Sequence, residues 1–439
     1  MTNFIFILLM ASLIGNRFPM VNVAALLMCV PLYLWAARSG IKDPQLMPRS
    51  TVRWVKAAYA FWLTSYLLTR APISNLLSFD FLRRDGALLF AYLPLLIVQD
   101  YNLDRQFLEK LVRGYLWVMS AIAVFGTVLY LEALGNLSIS STFLPEDLQV
   151  IVYSPLSGFE FHGFFEAHNS TGAIYGLASC IALAMLVFAP RFKFFSAPSF
   201  WFAATFLGLM LSKSRTSYVA FVITAIVLLL RARNFKRVAA LVLFLITPVA
   251  LFTLMQPEVS QRAEAVTSND DPNVVERLIY FMRAKEDFVS SPLIGIGFGR
   301  FNDEYLGFSG IENVAYVATD GVVVNESNHA HNSYLHFLAE GGLVGFTIMM
   351  GIWVSAFRWA RRIQHRFPRG SFAHSFDLGV QTCILFEFFI SFTEHSMGTA
   401  VTSLTVFTMF GLLRNFVAAR QEATAAAMNL GLAPRPSTA

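Results

Sequence analysis

Apolar runs of about 18 to 20 residues recur along most of this 439-residue sequence, each long enough to cross roughly 30 Å of hydrocarbon as a helix. Water alone cannot be the solvent of such a chain. Composition agrees: 56% of residues are hydrophobic and 14% charged, against roughly 25% charged in a soluble domain. The expected fold class is all-α, a polytopic membrane protein of about 12 transmembrane helices. Spans are predicted near residues 3–16, 20–37, 54–70, 86–99, 113–134, 171–190, 194–211, 216–231, 238–256, 334–357, 378–394 and 400–416. Met1-Thr2-Asn3 has no basic flank of a cleaved leader, so the first run is expected to persist as a helix.

Charge assigns sides. Most of the 33 Lys and Arg fall in the loops after spans two, four, six, eight and ten and in the C-terminal tail, with Arg358, Arg361, Arg362, Arg366 and Arg369 the densest group. The positive-inside bias makes those segments and both termini cytoplasmic. Residues 135–170 hold no Lys or Arg, and the long loop 256–330 is rich in Asp and Glu, so both are expected outside. The chain then divides into helices 1–9 over 1–255, an outer loop over 256–333, helices 10–12 over 334–417 and a cytoplasmic tail over 418–439. Cys29, Cys180 and Cys383 are scattered through apolar runs without metal or redox spacing and read as packing residues.

Several cations break the bias. Arg70, Arg83, Arg84, Lys213 and Arg215 lie at span ends or in short loops assigned to the outside. For Arg70, Arg83 and Arg84 two readings stand side by side: they bind something anionic, or they snorkel or pair with Asp80 or Asp85. Arg17 reads as snorkelling. Lys213 and Arg215 sit in Leu211-Ser-Lys-Ser-Arg-Thr-Ser217, between two apolar runs, with Ser214 or Thr216 as candidate N-cap. A helix start flanked by two cations is an anion site, since free backbone N–H groups add to the side-chain charge. Phosphate is the natural ligand, and a plain interfacial turn is the alternative.

The loop 256–330 is too long for a connector. Val275 to Phe288 has helical apolar spacing and carries Arg277, Arg283 and Lys285, which predicts an amphipathic helix lying on or over the bundle. Gly295, Gly297 and Gly299 follow, permitting a tight turn or close backbone approach, and no strand-turn-helix unit makes them a nucleotide fingerprint. Asn328-His-Ala-His-Asn-Ser-Tyr334 then leads into the tenth span. His329 and His331, two residues apart without a third ligand, are a weak metal signal. An imidazole titrating near pH 6.5 at a membrane edge suits general-base work better. His162, His168 and His336 read as structural. Glu387 and Glu394, in the eleventh span, are expected to pair with Arg or His395.

These residues carry a resemblance. His331, Asn332, Gly342 and Gly345 match the ligase pattern of His-Asn, nine residues, Gly, two residues, Gly; Ser214-Arg-Thr216 resembles the family's outer Arg turn, and Arg277 with Pro292, Gly295 and Gly297 its loop segment. Over about 210–350 the chain thus resembles the O-antigen ligase superfamily, which also includes O-antigen and exopolysaccharide polymerases. The resemblance implies an inner-membrane enzyme of lipopolysaccharide biosynthesis with a periplasmic site. It would be a glycosyltransferase without metal or cofactor, moving a saccharide from undecaprenyl diphosphate to lipid A-core or to another lipid-linked glycan. His331 would be the base, and Arg215 and Arg277 would hold the diphosphate. Asn332 would orient the histidine or a sugar hydroxyl, with Lys213, His329, Arg283, Arg70, Arg83 and Arg84 as further substrate contacts. One base acting directly predicts inversion; paired carboxylates of a retaining enzyme are not evident. Partners would be lipid-linked glycans and membrane lipid, not nucleic acid. A polymerase of the same superfamily is the nearest alternative. A lipid-linked sugar transporter or flippase is the more distant one, since it would need charge at the bilayer midplane.

Overall fold

The computed structural model describes residues 49–69, 92, 105–135, 151–154, 158–162, 168–189, 195–232, 272–301 and 329–429. Helices α1 (Arg49–Thr69), α2 (Arg105–Leu134), α3 (His168–Val187), α4 (Ala197–Leu211) and α5 (Arg215–Leu230) come first. After them come α6 (Pro272–Ser290), α7 (Ser333–Ile363), α8 (Phe372–Ile390) and α9 (Ala400–Asn429). The predicted spans within these residues each overlap a helix, the eleventh running past its end because α8 stops at Ile390 and leaves Glu394 in the following turn, whereas those at 3–16, 20–37, 86–99 (apart from Tyr92) and 238–256 lie outside the described residues. Among the described residues, four helical stretches, Arg105–Leu134, His168–Val187, Ser333–Arg366 and Thr402–Arg420, are long and apolar enough to cross a membrane; α4 and α5 are apolar but shorter.

The described residues are helical apart from one antiparallel hairpin, β1 (Ile151–Ser154) with β2 (Gly158–Phe161), in register Ile151 to Phe161 and Tyr153 to Phe159. Its β-branched and aromatic residues favour the pleat. Phe161 anchors it: the ring is fully buried beside Tyr175 and fills the notch left by Gly126 of α2, where a Cβ would come within 2.3 Å.

Small residues set the helix packing, as is usual where lipid offers no hydrophobic drive between helices. Helices α3 and α8 run antiparallel, with Phe386 seated on Gly176, Cys383 Sγ 3.3 Å from the Leu177 carbonyl and Gly379 against Ile181. Cys180 and Cys383 are buried free thiols, as their setting predicts. On α7, Gly341, Gly345 and Gly351 receive Trp62, Phe61 and Trp54 of α1 in antiparallel order. Seen along α3, the turn at 212–217 packs on Gly172, the end of the bundle where α8 also finishes. At the opposite end Arg231 donates to Gln381, which donates to Asp377.

Helix α7 is two helices joined at Gly342, whose φ of 57° and ψ of −162° no helix contains. The break is stitched by the loop after α6. Ile296 and Gly297 N–H groups donate to the Ala339 and Glu340 carbonyls that end the first half, and Leu343 and Val344, which begin the second, donate to the Pro292 and Leu293 carbonyls. Every backbone group released by the break at these positions is re-paired, as a helix end away from water requires.

Candidate functional site

The first half of α7 positions the motif. Asn332 is its N-cap: Oδ1 accepts from Leu335 N–H at 3.0 Å, while Nδ2 donates to the Phe392 carbonyl at 2.8 Å. Ser333 N–H donates to Ser391 and Glu394 carbonyls, its hydroxyl donates to the Glu394 carbonyl, and Met397 N–H donates back to that hydroxyl. The turn 391–397 after α8 is thereby strapped to the start of α7. His331, immediately before the cap, is held at φ 47°, a left-handed conformation that few residues with a Cβ adopt.

That strap delivers Glu394 between two predicted residues from distant elements. Arg277 Nη2, from α6, donates to Glu394 Oε1 at 2.9 Å, and His331 Nδ1 lies 3.7 Å from Glu394 Oε2. Arg277 and His331 side chains keep 33% and 23% exposure while that of Glu394 keeps 9%, so the carboxylate is the inner member and the imidazole and guanidinium reach outward. The Tyr280 ring lies 5.6 Å from His331.

Behind His331 stand three more imidazoles. His329 is 4.5 Å from His331 between ring centroids, His395 stacks on His329 at 5.3 Å, and His336 meets His395 at 4.0 Å. His331 N–H donates to His329 Nδ1, which fixes that ring's Nε2–H tautomer. Burial, then the neighbouring His331 and His336, pushes His329 down to about 3; burial first, then the three other rings, lowers His395 as well. Both are uncharged near neutral pH, so the stack presents His331 with apolar, neutral walls. Gly398 makes room for it, since a Cβ there would fall 1.8 Å from His395 Nε2.

The remaining candidates are distributed otherwise. Arg283 lies over the Phe301 ring at 4.7 Å. His336 Nε2 is 3.3 Å from Glu340 Oε2, whose other oxygen accepts from Phe301 N–H. His162 and His168 meet at the hairpin end of α3, 5.8 Å apart. Lys213 (φ 55°) and exposed Arg215 form the turn into α5, with Ser214 as N-cap. The Ser214 hydroxyl bonds the Ser217 hydroxyl at 2.8 Å instead of capping the backbone. By the packing of α3, that turn shares the bundle end of the Glu394 turn. Arg70, Arg83 and Arg84 lie outside the described residues. Among the described residues, no group of three or more His, Cys, Asp or Glu is disposed to hold a metal ion.

Sequence reasoning placed Glu394 among structural pairs and overlooked Tyr280 and the stack. The available signal was Glu394-His395-Ser396-Met397-Gly398, an acid and a histidine in a glycine turn at the same outer end as His331.

A helical bundle with helices of membrane length, a broken helix and a His, Arg and Glu cluster at one end is the architecture of a multi-pass membrane protein with ionisable side chains gathered at one end of the bundle. Residues 199–350, from α4 through the break in α7, match the family model for O-Antigen ligase, a match that supports the O-antigen ligase superfamily for that segment. Members of this family are glycosyltransferase-like enzymes. No curated protein matches the chain. Lys213, Arg215, Arg277, His329, His331 and Asn332 fall inside the matched segment, and Glu394 and His395 lie beyond it.

Proposed function

We propose that this protein is a periplasmic-face glycosyltransferase of the bacterial inner membrane. It transfers a saccharide from undecaprenyl diphosphate to a sugar hydroxyl, most specifically as an O-antigen ligase whose acceptor is lipid A-core. The observation that carries the reading is the convergence on Glu394, at one end of the bundle, of His331 and Arg277, both of which lie in the segment that matches the family model. His331 takes the acceptor hydroxyl proton through Nε2, the nitrogen away from Glu394. The acceptor oxygen attacks the anomeric carbon as the bond to the diphosphate oxygen breaks, and the leaving group carries off the electron pair. Arg277, which keeps further N–H donors beyond the one given to Glu394, and Arg215 take up the charge that develops on it. A positioned base is worth about 10²- to 10⁴-fold and a pre-set donor at a developing anion about 10²- to 10³-fold. Direct attack inverts the anomeric centre.

Purified protein in proteoliposomes with lipid-diphosphate-linked glycan and lipid A-core tests this. Wild type is expected to join the two, with His331→Ala and Arg215→Ala folded but slowed by at least about 100-fold. Transfer onto a second lipid-linked glycan instead of lipid A-core would make the protein a polymerase. Movement of glycan lipid across the bilayer without joining would make it a flippase.

A further inference from the structure

Glu394 is shared between the proposed base and the proposed leaving-group cation, and the sharing is unequal. Arg277 has a full hydrogen bond at 2.9 Å; His331 Nδ1 lies 3.7 Å from the other carboxylate oxygen, beyond hydrogen-bond distance, and is buried without a partner. A buried donor left unmade is costly, typically about 1–3 kcal/mol. The residue is also anchored: its backbone is strapped to Ser333, so its side chain can turn from one partner to the other while its Cα stays in place.

Resting on the glycosyltransferase reading above, we propose that Glu394 is a positioning residue exchanged between two partners, so that an anionic diphosphate drawing on Arg277 releases the carboxylate to His331 Nδ1–H and arms the base. Without donor, Arg277 occupies Glu394 and His331 lacks the acceptor that fixes its tautomer and stabilises its cation. With donor, Arg277 turns its bidentate face to phosphate oxygens and Glu394 accepts from Nδ1–H. Nε2 then takes the acceptor hydroxyl proton; the positive imidazolium rests against Glu394 while the departing diphosphate rests against Arg277. Activation of a hydroxyl, including that of water, is thus delayed until a sugar donor is present. The other groups facing His331 do not supply this: His329 and His395 are neutral, His336 is engaged with Glu340, and Tyr280 presents a ring.

The test uses full-length protein in proteoliposomes, comparing wild type with Glu394→Gln, Glu394→Asp, Arg277→Gln and the double variant Arg277→Gln/Glu394→Gln. Glu394→Gln is expected to lower kcat by about 10- to 100-fold, part of what the base contributes. It should also move the acid limb of the kcat profile to lower pH, because an adjacent carboxylate favours the imidazolium. Glu394→Asp should recover part of both. Inorganic diphosphate should inhibit Glu394→Gln several-fold more tightly than wild type, and this gain should vanish on the Arg277→Gln background. An unchanged acid limb, or the same tightening without Arg277, overturns the exchange. If His331→Ala is inactive in either case, only the exchange fails; a fully active His331→Ala fails the underlying reading instead.

Discussion

The backbones of Gly295 and Gly342 touch: a Cβ on Gly342 would lie 2.6 Å from Gly295 N, and one on Gly295 would lie 2.3 Å from the Glu340 carbonyl carbon. Both glycines have positive φ, 71° and 57°, so each position excludes a side chain twice, by torsion and by space. Through this contact the loop after α6, and with it Arg277, is locked to the half-helix that carries His331.

Gly342→Ala is therefore expected to cost more than backbone strain alone, which for an alanine at φ 57° and ψ −162°, a region essentially reserved for glycine, is about 1–3 kcal/mol, because the stitching bonds to Pro292 and Leu293 must also shift. Thermal unfolding of detergent-solubilised protein should fall sharply, and glycan transfer should be lost. Gly345→Ala, which meets only the far ends of Phe61 and Trp62, should be milder. Equal stability of Gly342→Ala and wild type would contradict the stitched break.

Asn332 uses both ends of its amide, one to cap α7 and one to hold the Phe392 carbonyl. Asn332→Ala should cost about 1–2 kcal/mol for the cap and loosen the Glu394 turn. Asn332→Asp retains an acceptor for Leu335 N–H but cannot donate to Phe392. It is expected to keep much of the stability while losing transfer, which a parallel measurement of melting temperature and product yield separates.

These relationships show what was legible in the sequence. Apolar length and the spacing from Val275 to Phe288 announced helices that the fold contains, because hydrophobic period acts locally. The His331, Asn332, Gly342 and Gly345 pattern was legible as a motif, but its physical content was not. Gly342 is required by a loop about 50 residues upstream in the chain, and Asn332 by a turn about 60 residues downstream. Glu394 is expected from sequence to pair with Arg or His395, and it does pair with Arg277; what was not legible is that this partner comes from α6 and that the carboxylate also approaches His331 at the start of α7, because no short-range periodicity encodes that meeting. The hairpin 151–161 was missed because its few residues sit within a segment defined only by lacking cations.

Asp287, on α6, is 5% exposed and one carboxyl oxygen is buried without a partner. Burial raises its pKa from 3.8 to about 6, against the lowering pull of Arg283. The folded state thus keeps its proton between these values while the unfolded state releases it, so stability declines as pH rises from about 4 to about 6 and stays low above. The full shift would be worth roughly 3 kcal/mol, reduced to about 1–2 kcal/mol by partial solvent access. Asp287→Asn should be more stable than wild type at pH 8 and equal to it near pH 3.5, read from melting temperatures across pH.

The histidine stack has the opposite sign. His329 is pushed down to about 3 and His395 is lowered as well, both chiefly by burial. In the unfolded chain each takes up a proton near 6.5, whereas the folded stack refuses it. Stability is therefore full above about pH 6.5 and drains as pH falls toward 3. Between about pH 4 and 6 the loss from two imidazoles runs against the gain from the single Asp287 carboxyl, so wild type should still lose stability on acidification there, with about the slope of one proton. Single variants separate the two slopes. His329→Gln removes one of the two depressed sites, so His395 and Asp287 nearly cancel and the profile should become shallow; Asp287→Asn should do the reverse, steepening the net loss on acidification. The double variant should restore about the wild-type slope. If His329→Gln left the acid-side slope as steep as in wild type, the stack would not be what resists protonation, and its role as a neutral wall behind His331 would fall with it.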